Sequence, residues 1–441
     1  MDGSVNAGSV CAELENKGRV RFDYDLSVFG RPSSRYDHEL ARLACLLSTV
    51  GYDRVTEDPS AEPLTGAPYI QKGLWTVLEG LGFTAKEPRP RTGRDEQSYF
   101  FAFRPLTLGD REYDLFAAAL IGSHCRQWYS DFDPLGLERD RDYAGTDEAG
   151  AIHLGFADAR EFIRERLRGF ILKHRTGRPV KLLLTGHSRG AAAAGLLAAK
   201  TIDAGGLCAE IPIDPEDLYV YCFAAPNYAE TARADLLAER YRRIYTVVSP
   251  EDFVTEVFPA ACGFGRYGTV YAIFGTDNRS RGDYAREKAV MTRFFSDYRE
   301  SRPYVPYKDG SRSVGRVVSV LAQSMADMDV FYNKRMRLCF SRVTPFEYFR
   351  DTLCAFVGGD GTQQARENKD RATKLLLASA LDPVGTCAAY RRISAFFVFK
   401  QGLAGVTGGK VGAEYFNDAH ISETYLAYMM SMREVQLLRT Q

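Results

Sequence analysis

The chain has no excess charge of either sign: 57 Lys and Arg stand against 57 Asp and Glu, for a formal net charge of zero. Nucleic-acid binding draws on a cationic surplus that displaces counterions from phosphates. With no dense basic patch to supply one, no nucleic-acid partner is expected. No run of about 18 apolar residues occurs, so no transmembrane segment is expected. The N-terminus, Met1-Asp2-Gly3-Ser4, lacks the apolar core of a secretory leader. There is no Cys-x-x-Cys pair, which argues against a zinc ribbon or a dithiol redox centre. No internal repeat is found, which sets aside repeat arrays.

The composition that remains is that of a globular protein, with 45% hydrophobic and 26% charged residues. At 441 residues the chain is long for one core, so one large domain plus a smaller insertion is expected. Its nine cysteines are odd in number and widely spaced. Cys45 and Cys222 lie in apolar runs, where a thiol acts as a small hydrophobe. With no leader visible, a reducing, cytoplasmic location is the expectation.

Residues 1–19 are polar and read as a flexible N-terminus. Apolar residues recur at helical spacing over 39–47 and 69–81, while 99–103 and 115–121 are short apolar runs bounded by turn residues, the mark of buried strands. A regular alternation follows: helix over 156–172, strand over 180–184, Ala-rich helix over 191–200, strands over 218–223 and 243–248. Strands separated by helices imply a parallel sheet covered on both faces, with ligands at the carboxyl ends of its strands. Residues 284–400 read as a helical insertion, a cap or lid subdomain. It interrupts a main domain formed by 20–283 and 401–441, which ends in a helix over 421–438.

The sharpest local feature is Gly186-His187-Ser188-Arg189-Gly190. A Gly-x-Ser-x-Gly match alone arises by chance in roughly one chain in seven of this length. Here, however, an apolar strand runs directly into it and a small-residue helix, Ala191-Ala192-Ala193-Ala194, leaves it. That is the strand–elbow–helix context of a nucleophilic serine. Ser188 is therefore the candidate nucleophile. The bare alternative is a Gly-rich turn with no chemistry. His187 is its neighbour, but adjacent residues on a tight turn point apart, so it is read as structural. The backbone N–H of Arg189, the residue after the nucleophile, is the expected oxyanion donor.

An activated serine needs a base, and the base needs an orienting carboxylate. Where a nucleophilic serine sits on a strand–elbow–helix turn of this kind, the chain order is Ser, Asp or Glu, His. Of six histidines only His420 follows Ser188, so order selects it. The acid should end a strand after the elbow. The strand over 243–248 leads to Ser249-Pro250-Glu251-Asp252, where Asp252 is preferred and Glu251 is the rival.

With these motifs in place the chain resembles the class 3 lipases, fungal-type triacylglycerol lipases and their bacterial relatives, within the α/β-hydrolase superfamily. Leu120-Ile121-Gly122-Ser123 with Trp128 and Asp131 is similar to the family's hydrophobic-x-Gly-Thr/Ser … Trp … Asp segment. Ile152-His153-Leu154-Gly155-Phe156 resembles Val-His-x-Gly-Phe. Residues 184–191 resemble Thr-Gly-His-Ser-Leu-Gly-Gly-Ala, and Tyr221-Cys222-Phe223-Ala224-Ala225-Pro226 resembles Phe-Gly-x-Pro. Asp252, Phe253 and Val254 parallel Asn-x-x-Asp-x-Val-Pro. The resemblance covers about residues 95–280 and the last 30.

It implies an α/β-hydrolase fold and a catalytic triad of Ser188, Asp252 and His420. It also implies an oxyanion hole from the N–H groups of Ser123 and Arg189, with the Ser123 hydroxyl as a further donor. His153 and His187 would be structural, and Asp131 would support the oxyanion loop. Arg189, Ala191 and Ala224 depart from the family pattern. The separation of 168 positions between Asp252 and His420 also exceeds that of small fungal lipases. The expected activity is hydrolysis of an acyl ester or lipid through an acyl-enzyme, with no metal or cofactor. A thioesterase, acyltransferase or peptidase on the same triad is the alternative, and a non-catalytic binding protein using the insertion is a third reading.

Weaker signals have blander explanations. The Met325, Met328, Phe331 and Tyr332 stripe reads as core. The glycines of 402–412 lack the strand and Lys-Ser/Thr ending of a phosphate loop. Arg391-Arg392 reads as a solvated helix face.

Overall fold

The computed structural model describes residues 6–14, 19–52, 56–57, 69–70, 72–89, 97–122, 137–139, 151–249, 252–256, 264–273, 420–431 and 438–439. The helical insertion expected at 284–400, the stretch 402–412 and the side chains at 325–332 and 391–392 lie outside them.

The chain opens with a hairpin of β1 (Ala7–Glu13) and β2 (Arg19–Asp25), in which Val10 pairs with Phe22 and Ala12 with Val20. Within the segment 1–19, expected to be flexible, Ala7–Glu13 is therefore a strand. Val10, Ala12 and Leu14 alternate with polar neighbours and are buried beside Val20 and Phe22, so a single apolar face is enough to hold the strand.

Among the described residues eight strands form the central sheet. They are β3 (Ala85–Arg89), β4 (Tyr99–Leu108), β5 (Arg111–Leu120), β6 (Val180–His187), β7 (Leu218–Phe223), β8 (Ile244–Val248), β9 (Thr269–Ala272) and β10 (Leu438–Arg439), hydrogen-bonded in that order from edge to edge. The strands β5 to β9 are parallel to one another. The edges are antiparallel, β3 and β4 on one side and β10 on the other. The mostly parallel sheet expected from the alternation is thus a parallel core with antiparallel margins. One cause is the two-residue turn between Leu108 and Arg111. Gly109 there has φ 59°, the positive value that the first position of a type II′ hairpin turn requires.

Each face of the sheet carries its own core. On one side α3 (Leu154–His174) and α4 (Arg189–Asp203) cover Phe101, Phe116, Leu182, Leu184 and Val220. The run Ala191-Ala192-Ala193-Ala194 in the first turns of α4 lets its backbone lie close to the sheet. On the other side α1 (His38–Val50), α2 (Lys72–Gly80) and α5 (Ser422–Ser431) cover Phe100, Ala117, Leu183, Tyr221 and Val247. Successive strand residues therefore serve opposite layers. Asp37 caps α1 by accepting from the N–H groups of Glu39 and Leu40 at 2.9 and 3.0 Å. At the other end of α1, Thr49 Oγ1 shares its hydrogen between Cys45 O at 2.8 Å and Ser422 O at 3.3 Å, the longer contact reaching from α1 to α5. Two boundaries differ from expectation. Tyr69–Ile70 pairs with Thr56–Glu57 as strand before α2 begins, and Leu438 belongs to β10 rather than to the closing helix.

A mixed, mostly parallel sheet sandwiched by helices, with a strand–elbow–helix turn at β6, is the α/β-hydrolase fold.

Candidate active site

The turn after β6 is set by Ser188, whose φ of 57° and ψ of −127° lie in a region that side-chain-bearing residues rarely adopt. The reversal drives α4 back against β6 and β5. A Cβ on Gly186 would stand 2.5 Å from Gly190 C and O, and one on Gly190 would run into the Leu120 carbonyl. Glycine at both positions is thus a matter of space. Ser188 N–H donates to Phe223 O at 2.9 Å, and Ser188 O accepts from Ala191 N and Ala192 N at 2.9 and 3.2 Å. These bonds hold the strained turn and leave Oγ above the carboxyl end of β6, 5% exposed as a residue.

His420 Nε2 lies 2.8 Å from Ser188 Oγ. Its Nδ1 lies 3.0 and 2.9 Å from Asp252 Oδ1 and Oδ2. A carboxylate only accepts, so Nδ1 carries the hydrogen and Nε2 is left to accept from the serine hydroxyl. Asp252 is wholly buried, and a buried carboxylate demands donors. It has three: His420 Nδ1, Val254 N–H at 3.0 Å to Oδ1, and Tyr425 Oη at 2.7 Å to Oδ2. The Tyr425 hydroxyl is held well above its ordinary pKa, first by burial and then by the adjacent Asp252 charge. It therefore remains a donor throughout the physiological range.

The turn carrying Asp252 is fastened on its far side. Thr255 Oγ1 donates to Asp252 O at 2.8 Å. Arg266, also buried, donates from Nε to Ala225 O at 2.9 Å and from Nη2 to Thr255 O. One guanidinium thus ties the loop after β7 to the loop after β8.

Arg189 is the first residue of α4, where N–H groups point out of the helix end toward the positive pole of its dipole. Its side chain is buried, with Nε 3.3 Å from Gln97 Oε1. Gln97 Nε2 in turn donates to Ile121 O at 2.5 Å. His187 is buried, its ring 5.0 Å from that of His420, and is bonded to Tyr52 and to the His420 carbonyl. His153 is buried at the start of α3, its ring 4.4 Å from that of Phe156. Ser123, Trp128, Asp131 and Glu251 lie outside the described residues. Ser188, Asp252 and His420, chosen from the sequence, are brought together.

Tyr425, Arg266, Gln97 and Tyr52 were not singled out from the sequence. Each acts across a long stretch of chain, Tyr425 on Asp252 over 173 positions and Tyr52 on His187 over 135. No local pattern distinguishes them from core tyrosines or surface polar residues. Among the described residues no three His, Cys, Asp or Glu side chains are grouped to hold a metal ion, and no helix is long and apolar enough to cross a membrane. A serine hydroxyl on an imidazole that is held by a buried carboxylate can act as a nucleophile toward an acyl carbon.

Residues 121–261 match the family Lipase (class 3), a span that contains Ser188 and Asp252 but not His420. Among solved structures, a triacylglycerol lipase described as having a serine protease triad at its catalytic centre is 20% identical. Its TM-score is 0.31, covering 41% of this chain and 63% of that one. The triacylglyceride lipase of Rhizomucor miehei is 21% identical with a TM-score of 0.32, over 43% and 66%. The nonglycosylated LIP2 lipase of Yarrowia lipolytica is 16% identical with a TM-score of 0.34, over 54% and 78%. The chain thus spans less than two thirds of the length of the first two. No curated protein matches it.

Proposed function

We propose that this chain, class 3 lipase-like over residues 121–261, is a serine hydrolase of carboxylic esters, with an acyl ester or lipid as substrate. The observation that carries the reading is the placement of His420, with Nε2 at 2.8 Å from Ser188 Oγ and Nδ1 at 2.9 Å from Asp252 Oδ2. That is the reach a general base needs to take a proton from a nucleophile.

In the first half-reaction His420 Nε2 takes the Ser188 proton as Oγ bonds to the ester carbonyl carbon. The carbonyl π electrons move onto oxygen. The oxyanion is held by the Arg189 N–H and, by analogy with the family, the Ser123 N–H. As the carbonyl reforms, the C–O bond to the alcohol breaks and His420 returns the proton to the leaving oxygen. Water then attacks the acyl-serine by the same route and releases the acid. Asp252 keeps His420 in the required tautomer and stabilises the imidazolium.

The experiment is labelling with a fluorophosphonate, lost in Ser188→Ala, followed by a panel of short and long p-nitrophenyl esters beside an acyl-CoA and an amide. A folded wild type that takes no label overturns the reading. Faster turnover of acyl-CoA or amide would move the protein to a thioesterase or peptidase on the same residues. No turnover of any activated ester would leave a binding protein.

A further inference from the structure

We propose that Tyr52 and His187 are positioning residues that tie Gly122, the residue before the proposed oxyanion donor, to the proposed base His420 through one hydrogen-bonded relay. The inference rests on the proposed ester hydrolysis and deepens it. The relay has three links of equal length. Gly122 N–H meets Tyr52 Oη at 2.7 Å. Tyr52 Oη meets His187 Nδ1 at 2.7 Å. His187 Nε2 meets the His420 backbone carbonyl at 2.7 Å.

Each link has one polarity. A carbonyl oxygen only accepts, so His187 Nε2 bears hydrogen and donates to His420 O. The neutral ring then offers a lone pair at Nδ1, which accepts from the Tyr52 hydroxyl. The tyrosine oxygen, its hydrogen committed, accepts from Gly122 N–H. Polarity thus runs from the residue before Ser123 to the backbone of the base without a mismatch. Chains of this kind polarise one another and are stronger than their separate links.

The site is shaped around this relay. A Cβ on Gly122 would collide with Tyr52 Oη and stand 2.9 Å from Ser188 Cβ, so the close approach of the three groups requires glycine there. His187 is 2% exposed. Its ring lies 5.5 Å from Tyr52, 5.0 Å from His420 and 5.8 Å from Tyr425. Aromatic packing therefore fixes the plane in which both nitrogens are used. This gives the histidine beside the nucleophile a task distinct from proton transfer: it bears on the base through the base's main chain.

Removal of the relay should be felt where the oxyanion forms rather than where substrate binds. Tyr52→Phe is expected to lower kcat by roughly 10-fold to 100-fold, with KM changed by less than about 3-fold. Affinity for an aryl boronic acid, which mimics the tetrahedral species on Ser188, should fall by the same factor as kcat/KM. His187→Gln keeps a donor for the His420 carbonyl and is expected to exceed His187→Leu in kcat by about 10-fold.

The experiment measures ester kinetics, boronic acid affinity and thermal melting for wild type and the three variants. Wild-type labelling by a fluorophosphonate comes first. A folded but unlabelled wild type removes the proposed hydrolysis itself, and the relay with it. With a labelled wild type, the relay is overturned if folded Tyr52→Phe keeps wild-type kcat and boronic acid affinity. Should Tyr52→Phe not fold, the His187 pair decides: equal kcat for Gln and Leu overturns the relay, and recovery by Gln alone supports it.

Discussion

Tyr425 Oη stands 2.7 Å from Asp252 Oδ2 and 2.9 Å from Ser249 N. One hydroxyl therefore joins the loop that bears Asp252 to the helix that begins beside His420. Tyr425→Phe would leave a buried N–H without its acceptor and take one of three donors from a buried carboxylate. A stability loss of about 1–3 kcal/mol is expected, with kcat lower by about 10-fold, since the carboxylate that orients His420 is less firmly held. Denaturant unfolding and steady-state ester hydrolysis measure the two effects. Unchanged values in both would show the bond to be idle.

Asp252→Asn isolates the tautomer argument. An amide at this position can donate as well as accept, and so permits the wrong hydrogen placement on His420. A loss of about 10⁴-fold in kcat is expected, while Ser188→Ala abolishes fluorophosphonate labelling altogether. A Ser188→Ala protein that still took the label at an equal rate would move the nucleophile elsewhere.

The elbow predicts a steric effect separate from chemistry. A methyl on Gly190 runs into the Leu120 carbonyl, which belongs to β5 and cannot swing aside as a side chain tip would. Gly190→Ala should therefore destabilise by about 3 kcal/mol or more and lower labelling in proportion to the folded fraction. A melting temperature equal to wild type would contradict the packing described.

Arg266 offers a test of geometry at constant charge. Its guanidinium reaches two carbonyls on two loops, Ala225 O and Thr255 O. An ammonium presents no planar fork with which to span them. Arg266→Lys is expected to cost about 1–3 kcal/mol in urea unfolding. It should also reduce kcat more than it raises KM, because the turn that loosens is the one bearing Asp252. An Arg266→Lys protein with wild-type unfolding free energy would show that the second carbonyl contact contributes nothing.

Much of this architecture is legible in the residues because its signals are local. The buried strand over 182–184, the Gly-x-Ser-x-Gly turn and the Ala-rich helix are consecutive, and each has its own size and hydrophobicity pattern. His420 needs only chain order, since five histidines precede Ser188. The directions of the edge strands are not legible, because a buried apolar run reads alike in a parallel or an antiparallel ladder. The strand at Ala7–Glu13 is short and half polar, and its buried face amounts to Val10 and Ala12. The supports of the site are least legible of all. Tyr52, Tyr425 and Arg266 each act through two hydrogen bonds, most of them to groups distant in sequence, and a tyrosine that donates to a buried carboxylate looks, as a letter, like one that fills a core.

The helix that carries His420 is the last helix described, and it rests on α1, on the face of the sheet opposite α4. During synthesis the chain emerges N-terminus first. A nascent chain extended as far as β9 already holds the elbow and the Asp252 turn, but its serine faces no imidazole. In the proposed mechanism such an intermediate is chemically silent. On that reading, onset of the proposed esterase activity times the docking of α5 onto α1.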